Sequence, residues 1–378
     1  MGLRSMLTVP ALLVALMLPA GVAIAAEPTP PPATALSITV SASRLTYGTG
    51  LTVTAGLTNA DTGAPLPAAE VSLLGRRAGT TAYVVLATLV SDHNGVVRLV
   101  HRPGVNTEYA ARYYGNALFA ASAAGPKRVD VAPKLTATSS RNAARVRTQI
   151  TIGGKVTPAH PGSTVRIERH YYGRWHLVAT RTLSAASTYR AVITTPATVG
   201  WKKYRVVRAA DRDNLATAVA LPRLDNHRLH TYVVRKRGTV KVSMTNFAAA
   251  VAATYADKRG WWRGHDRFRR VSTGGQFTVV LAQARYLPSY SSVCSVQYSC
   301  RVGRNVIVNQ DRWRWGSRYF PGSLAQYRLM VVNHETGHWL GNGHAYCRGK
   351  GQLAPVMQQQ SKGMQGCRPN AWPLAREL

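Results

Sequence analysis

The chain has 378 residues, of which 48 are Lys or Arg and 15 are Asp or Glu, so its formal net charge is +33 at pH 7. This length predicts two or three domains, and so large a charge predicts attraction to polyanions, although it could also serve solubility alone. For an exported protein, the candidate partners are anionic cell-wall polymers, membrane surfaces or extracellular nucleic acid. No nucleic-acid motif with interleaved aromatic residues is present, which argues against specific binding of DNA or RNA.

Residues 1–26 have the features of a secretory signal peptide. Arg4 supplies the positive charge, residues 7–20 are apolar, and Ala23-Ile24-Ala25 fits a small-x-small cleavage site. We therefore expect a secreted, extracellular protein, in association with the cell wall. The alternative is an uncleaved anchor, which would be the only segment to contact a membrane.

A Pro- and Thr-rich linker at residues 27–35 is followed by β-type sequence that repeats itself. The residues around Tyr109 recur around Tyr204, 95 residues later. Two further stretches recur in the same order: Val53-Thr54-Ala55-Gly56 as Ile150-Thr151-Ile152-Gly153, and Glu70-Val71-Ser72-Leu73 as Thr164-Val165-Arg166-Ile167. Residues 36–133 and 134–223 resemble bacterial immunoglobulin-like repeats, which implies two all-β sandwiches, here without an inter-sheet disulfide.

Neither repeat contains a convergent cluster of titratable residues, so we expect a stalk or a wall-binding module that acts through charge. Two Tyr-Tyr-Gly sequences, at residues 113–115 and 171–173, could form platforms for stacking on sugars. Strand and core positions are the more common role of such aromatic residues.

The pattern changes in residues 224–378, where strands and helices alternate. Residues 233–242, 277–281 and 305–309 are β-like, and helices are predicted from Phe247 to about Lys258, capped by Thr245 or Asn246, and from about Leu324 to Leu340. This order favours an α+β domain.

The second of these helices carries His334-Glu335-x-x-His338-x-x-Gly341-x-x-His344. On a helix, His334 and His338 project from one face and can bind one Zn²⁺, with Glu335 beside them as general base. Gly341 permits the left-handed turn that ends the helix and returns His344 as a third ligand. Three protein ligands leave a fourth position for water, as in catalytic zinc sites.

Downstream, Ala354-Pro355-Val356-Met357 is typical of a tight turn that ends in Met. The long motif followed by such a turn resembles the metzincin clan of zinc peptidases. More narrowly, the chain resembles a metzincin-like family of uncharacterised secreted proteins, on the stretches 332–338, 354–360 and 366–373. The resemblance implies that His334, His338 and His344 are zinc ligands, that Glu335 is the catalytic base, and that Met357 lies beneath the metal.

Two departures from better-known metzincins are visible. Some subfamilies have Tyr two residues after the Met, where this chain has Gln359, and whether its amide assists catalysis stays open. No cysteine-switch propeptide precedes the domain.

The chain has four cysteines, all in its last third. An even number in an exported protein predicts disulfides, and we expect Cys294–Cys300 and Cys347–Cys367 because each pair closes a local loop. A cysteine metal site is the alternative, but no Cys-x₂-Cys pair supports it.

The sequence thus predicts a multidomain protein: two immunoglobulin-like sandwiches followed by an α+β metzincin-like domain. The predicted activity is that of a secreted zinc endopeptidase acting on proteins or peptides. Two alternatives remain. One is a zinc amidase that cuts cell-wall peptide crosslinks. The other is a non-catalytic cell-wall-binding or adhesive protein with a zinc-stabilised domain.

Overall fold

A computed structural model describes residues 29–378 of the chain. The predicted signal peptide at residues 1–26 lies outside the described residues. The chain divides into two compact units. The described part of the first comprises residues 29–43, Gly50–Arg102 and Thr107–Val129, and the second comprises Arg44–Thr49, Pro103–Asn106 and Asp130–Leu378. The three domain boundaries drawn from the sequence stay predictions.

The first unit is built from two antiparallel sheets. The strands in this part of the chain are β1 (Thr34–Val40), β2 (Arg44–Thr46), β3 (Leu51–Asn59), β4 (Glu70–Arg77), β5 (Val84–Val90), β6 (Val96–His101), β7 (Thr107–Tyr113) and β8 (Ser122–Ala132). One sheet has the order β1-β3-β6 and the other the order β8-β7-β4-β5. Alternate residues of β3, from Leu51 to Leu57, are buried, as expected for a strand with one face on a core.

The second unit begins with the same kind of sandwich. Its strands are β9 (Lys134–Leu135), β10 (Thr138–Ser139), β11 (Ala143–Arg145), β12 (Gln149–Thr157), β13 (Thr164–Tyr171), β14 (Arg174–Thr182), β15 (Thr188–Thr194), β16 (Gly200–Arg208), β17 (Thr217–Ala220) and β18 (Leu224–Arg237). β9, β10, β12 and β15 form one sheet, and β14, β13, β16 and β17 form the other, which continues through the pairing of β16 with β18 into the sheet of the C-terminal region. Ile152, Ile167 and Val206 are fully buried between them.

The repeat seen in the sequence recurs in the strand pairing. Tyr109 of β7 lies opposite Gly75 of β4, and Tyr204 of β16 lies opposite Arg169 of β13. Both tyrosines are buried. Each repeat also has a short early strand that runs parallel to a later one, β2 with β8 and β11 with β18. The prediction of a β-rich, multidomain chain is confirmed.

The rest of the second unit is a mixed sheet with three α-helices. The elements are α1 (Met244–Ala256), β19 (Asp266–Arg270), β20 (Phe277–Ala282), β21 (Cys300–Val302), β22 (Asn305–Asn309), α2 (Gln310–Trp315) and α3 (Leu324–Trp339). β18, β20 and β22 are parallel neighbours, β19 also runs parallel to β18, and β21 closes the edge antiparallel to β22.

Local sequence explains where these elements begin and end. β18 stops at Arg237 because Gly238 takes a positive φ of 77°, so the strand does not reach residue 242 as predicted. α1 begins three residues earlier than predicted, because the Ser243 side chain caps it by accepting from the amide of Asn246. Ser323 and Gln326 form a capping box that starts α3.

One apolar core fixes α3 against the sheet. Phe247 of α1, Phe277 of β20, and Tyr327 and Val331 of α3 are all buried in it. Because Tyr327, Val331 and the residues one turn further on share a face, this packing decides which way the last turns of α3 point. None of the helices in the described part of the chain is long and apolar enough to cross a bilayer.

Candidate metal centre

Three imidazoles converge at the end of α3. The Nε2 atom of His338 lies 3.2 Å from Nε2 of His334 and 3.2 Å from Nε2 of His344. The helix places the first two one turn apart. Gly341, at a φ of 103°, then reverses the chain toward His344, a conformation that a residue with a side chain rarely adopts. The structure therefore brings together the three histidines that the spacing predicts.

Backbone carbonyls fix how these rings are protonated. Nδ1 of His334 lies 2.8 Å from the carbonyl oxygen of Val356, and Nδ1 of His338 lies 2.9 Å from that of Asn342. A carbonyl oxygen only accepts hydrogen bonds, so each Nδ1 carries the proton and each Nε2 presents a lone pair. The facing lone pairs repel one another unless a cation lies between them.

The donor set fits Zn²⁺. With Zn–N bonds of about 2.0–2.1 Å, two nitrogens of a tetrahedral site lie about 3.3 Å apart, close to the spacing seen here. Burial is the main cause that lowers the pKa of His334 to about 3, and it also lowers the pKa values of His338 and His344. The three imidazoles therefore do not readily take up a second proton at neutral pH, and the neutral imidazole is the form that binds zinc. Zinc binding itself stays a prediction.

Glu335, the predicted catalytic base, is buried on α3 beside these rings. Burial raises the pKa of its carboxyl to about 8, and the nearby charge of Arg301 opposes the shift. In the absence of a metal this carboxyl therefore keeps its proton at neutral pH. The cavity in front of the histidines is lined by Glu335, Arg301, Tyr298, Lys362 and Gln359, among others.

Met357 packs beneath the histidine-bearing helix. It is buried with Trp261 and Val356 in a small apolar cluster. Contact with α3 depends on Gly337, because a Cβ atom there would lie 2.3 Å from the Met357 sulfur and 2.7 Å from Cζ2 of Trp261. Gly337, inside the motif, thus leaves the space in which Met357 packs against the helix.

A residue that the sequence analysis missed holds this turn in place. The buried carboxylate of Glu377 accepts hydrogen bonds from the amides of Val356, Met357 and Leu374, at 3.1, 2.8 and 2.7 Å. Val356 is the residue whose carbonyl orients His334. The only signal of Glu377 in the sequence is that Glu335 and Glu377 are the only acidic residues after Asp311.

Two disulfides brace the same region, with the pairing expected from loop closure. The Cα–Cα distance is 5.8 Å in both Cys294–Cys300 and Cys347–Cys367. The second bond encloses the segment that contains Met357, and the described residues include no free cysteine.

The two Tyr-Tyr-Gly sequences differ in exposure. Tyr113 is buried in its strand, whereas Tyr114 is 63% exposed. Tyr172 is 94% exposed, and Tyr171 stacks on His176 with 3.7 Å between ring centroids. Tyr113 therefore has the core role that is more common for such residues. Tyr171 already has a neighbouring ring stacked on it.

Comparison with known proteins assigns the family. The chain belongs to the family described as Protein of unknown function (DUF3152), whose model matches residues 182–374. A search of curated proteins found no match.

Among solved structures, three that are similar each align with 51% of this chain. They are the D0-D1 domain of intimin (15% identity, TM-score 0.21, 97% of that chain), the Yersinia pseudotuberculosis adhesin InvE (13%, 0.26, 58%), and a tetra-tandem repeat in the extending region of a large adhesion protein (15%, 0.28, 50%). At these TM-scores the likenesses do not establish a common fold.

The family assignment corrects the main prediction. The sequence predicts a metzincin-like zinc peptidase over residues 224–378, but the family that covers most of this stretch has no described activity. The assignment to metzincins and the classification as a zinc metallopeptidase are therefore wrong, and the metzincin-like description of the C-terminal fold is not supported. The physical reason is that the motif specifies how three histidines are spaced, and a site with that spacing does not by itself define a reaction. The role of Glu335 as a base stays a prediction.

Proposed function

We propose that this protein is a non-catalytic, exported protein that binds or adheres to the cell wall through anionic polymers. We further propose that a zinc ion, held by His334, His338 and His344, stabilises its C-terminal region. The single observation that carries the proposal is the net charge of +33.

A lack of acidic partners for basic residues is concentrated in one part of the chain. None of the described residues from 268 to 378 takes part in an ion pair, although the segment contains Arg301, Arg314, Arg318, Arg328 and Lys362. Several of these cations lie over aromatic rings, for example Arg314 over Trp315 at 4.6 Å. Cations that the fold does not neutralise are free to attract a polyanion.

The histidine cluster supports the zinc part of the proposal. A bound Zn²⁺ would link the last turn of α3 to the segment after Gly341 by coordinate bonds, and so add to folding stability. Glu377 and the Cys347–Cys367 bond hold the same segment from other directions. All these features would stabilise the fold, which suits a domain that must stay folded outside the cell.

Two features support an extracellular location. The disulfides are typical of proteins that fold in oxidising compartments. The predicted signal peptide at residues 1–26 agrees with this, and the wall is then the nearest polyanion.

The test combines binding, metal content and turnover on the chain without its first 26 residues. We expect the protein to sediment with cell-wall preparations with or without a chelator, to contain one zinc per chain, and to release no fragments from proteins, peptides or walls. Failure to bind walls would overturn the adhesive function. Hydrolysis that disappears both with chelator and in Glu335→Gln would overturn the non-catalytic assignment.

A further inference from the structure

Two arginine–aromatic pairs follow each other at the end of α2. The guanidinium carbon of Arg314 lies 4.6 Å from the ring centroid of Trp315, and that of Arg318 lies 4.7 Å from the ring centroid of Tyr319. Trp315 is 72% exposed and Tyr319 42% exposed. Exposed aromatic rings that lie together with charged groups are a common feature of binding surfaces, whereas singly exposed rings are not.

The charge of these two arginines is available to a ligand. Residues 312–334 include no Asp or Glu. The neighbouring Arg312 and Arg328 donate to backbone carbonyls of Gln297, Gly316 and Trp313, which gives them a structural role. Arg318 donates only to the Tyr319 hydroxyl, and Arg314 has no hydrogen-bond or ion-pair partner among the described residues.

The segment that carries the pairs is fixed to the body of the domain. Trp313 is buried and packs edge-on against Phe247 of the core. The Ser317 hydroxyl donates to the carbonyl of Ser361 at 2.6 Å. Because the backbone on both sides of Trp315 is held, a ligand would find the rings already placed, which lowers the entropic cost of binding.

A third pair lies close by. Lys362 follows Ser361, and its ammonium group lies 5.4 Å from the ring centroid of Tyr298. Tyr298 in turn follows Gln297, whose carbonyl accepts from Arg312. The hydrogen bonds to Gln297 and Ser361 therefore bring the third pair next to the first two. We call the six residues of these pairs the basic–aromatic surface: Tyr298, Arg314, Trp315, Arg318, Tyr319 and Lys362.

From this arrangement we infer that the basic–aromatic surface is the place where the protein binds its polymer, and that the polymer is a polysaccharide carrying carboxylate or phosphodiester groups. Guanidinium groups bind both anions in a bidentate manner, and the indole and phenol rings offer apolar faces to the C–H faces of sugars. Disulfides place the chain outside the cytoplasm, where sugar polymers are more abundant than nucleic acid. This inference rests on the proposed wall-binding function and adds a location and a ligand class.

The experiment uses the chain without its first 26 residues and three double variants. Arg314→Gln with Arg318→Gln removes two charges from the surface, and Trp315→Ala with Tyr319→Ala removes its rings and leaves the charge unchanged. Lys134→Gln with Arg141→Gln removes two exposed charges elsewhere and is the matched control. Binding is measured to cell walls, polygalacturonate, neutral dextran, single-stranded DNA and phosphatidylglycerol vesicles, and circular dichroism confirms that each variant is folded.

We expect both surface variants to bind walls and polygalacturonate at least about tenfold more weakly than the wild type. The control should change by less than about threefold, because dispersed charge contributes weakly at physiological salt. Equal losses in the control and the arginine variant, or no loss in the ring variant, would overturn the inference. So would tighter binding to DNA or vesicles than to polygalacturonate. A wild-type protein that binds no wall would refute the proposed function itself, which keeps the two failures distinct.

Discussion

The chain treats its charges differently before and after residue 268. Up to that point, acidic residues neutralise arginines within the fold, through Arg76–Glu108, Arg205–Glu168, Arg208–Asp211, Arg228–Asp266 and Arg267–Asp225. In the described residues from 268 to 378 no ion pair forms, and arginines lie on aromatic rings or donate to backbone carbonyls instead.

The two regions are therefore stabilised differently, the first with ion pairs of basic residues and the second largely without them. In the sandwiches, a carboxylate such as that of Glu168, buried beside Arg205 and Arg166, makes the cation part of the structure. After residue 268, the acidic side chain of Glu377 binds backbone amides, and stability comes from disulfides, helix caps and the candidate metal centre. The described cations there have no acidic partner within ion-pair distance, at the cost of mutual repulsion.

The largest expected effect comes from removal of the metal. Chelation should lower the stability of the C-terminal region by about 4 kcal/mol if zinc is present at a thousand times its Kd. Calorimetry of the wild type with and without chelator measures this change. The variant His338→Ala should already be destabilised and should not respond to chelator; an unchanged melting temperature in the wild type would exclude a stabilising metal.

Glu377→Ala should come next. Three amides lose their acceptor, and we expect a loss of about 3 kcal/mol in the free energy of unfolding. Because the Val356 carbonyl orients His334, zinc affinity should also fall by roughly tenfold. Urea unfolding and competition with a zinc indicator measure the two effects. The neighbouring Arg376→Ala, at an exposed position, is the control and should leave both unchanged.

Gly337→Ala should cost about 2 kcal/mol, because the added methyl group overlaps Met357 and Trp261. Gly343→Ala is a matched control, since a Cβ atom there meets no atom within 4 Å. Thermal unfolding of the two variants compares them directly. Equal stability would mean that Met357 does not pack tightly under α3 in solution.

The smallest expected changes in stability test the difference in charge pairing between the two regions. Glu168→Gln should destabilise the chain by about 1–2 kcal/mol, since it leaves Arg205 without its buried partner. Arg314→Gln should change stability by less than about 0.5 kcal/mol, because the fold makes no use of that charge. If Arg314→Gln were the more damaging of the two, the division of roles between the regions would be wrong.

Features that depend on local sequence could be predicted. The helix predicted from about Leu324 begins at that residue, and four-residue spacing placed His334 and His338 on one face. The repeat around Tyr109 and Tyr204 located two buried strands of equivalent position. Each of these signals lies within one element or one repeat.

Features that depend on distant contacts could not be predicted. No periodicity links Glu377 to the amides of Val356 and Met357, which lie about twenty residues earlier in the chain. The pairing of Lys362 with Tyr298 likewise depends on tertiary packing. The prediction of a peptidase from the histidine motif was wrong for another reason. The spacing of the histidines indicates which metal they can coordinate, whereas function depends on the rest of the molecule.

The parallel strand pairs in the two repeats have a mechanical consequence. Arg44–Thr46 lies parallel to residues 130–132, and Ala143–Arg145 lies parallel to residues 225–227. When tension pulls the chain from both sides of such a pair, the strands slide along each other, and their hydrogen bonds bear the load together. Antiparallel hairpins pulled at their open ends instead peel apart one bond at a time. A pull applied on both sides of either pair would therefore load its strands in shear.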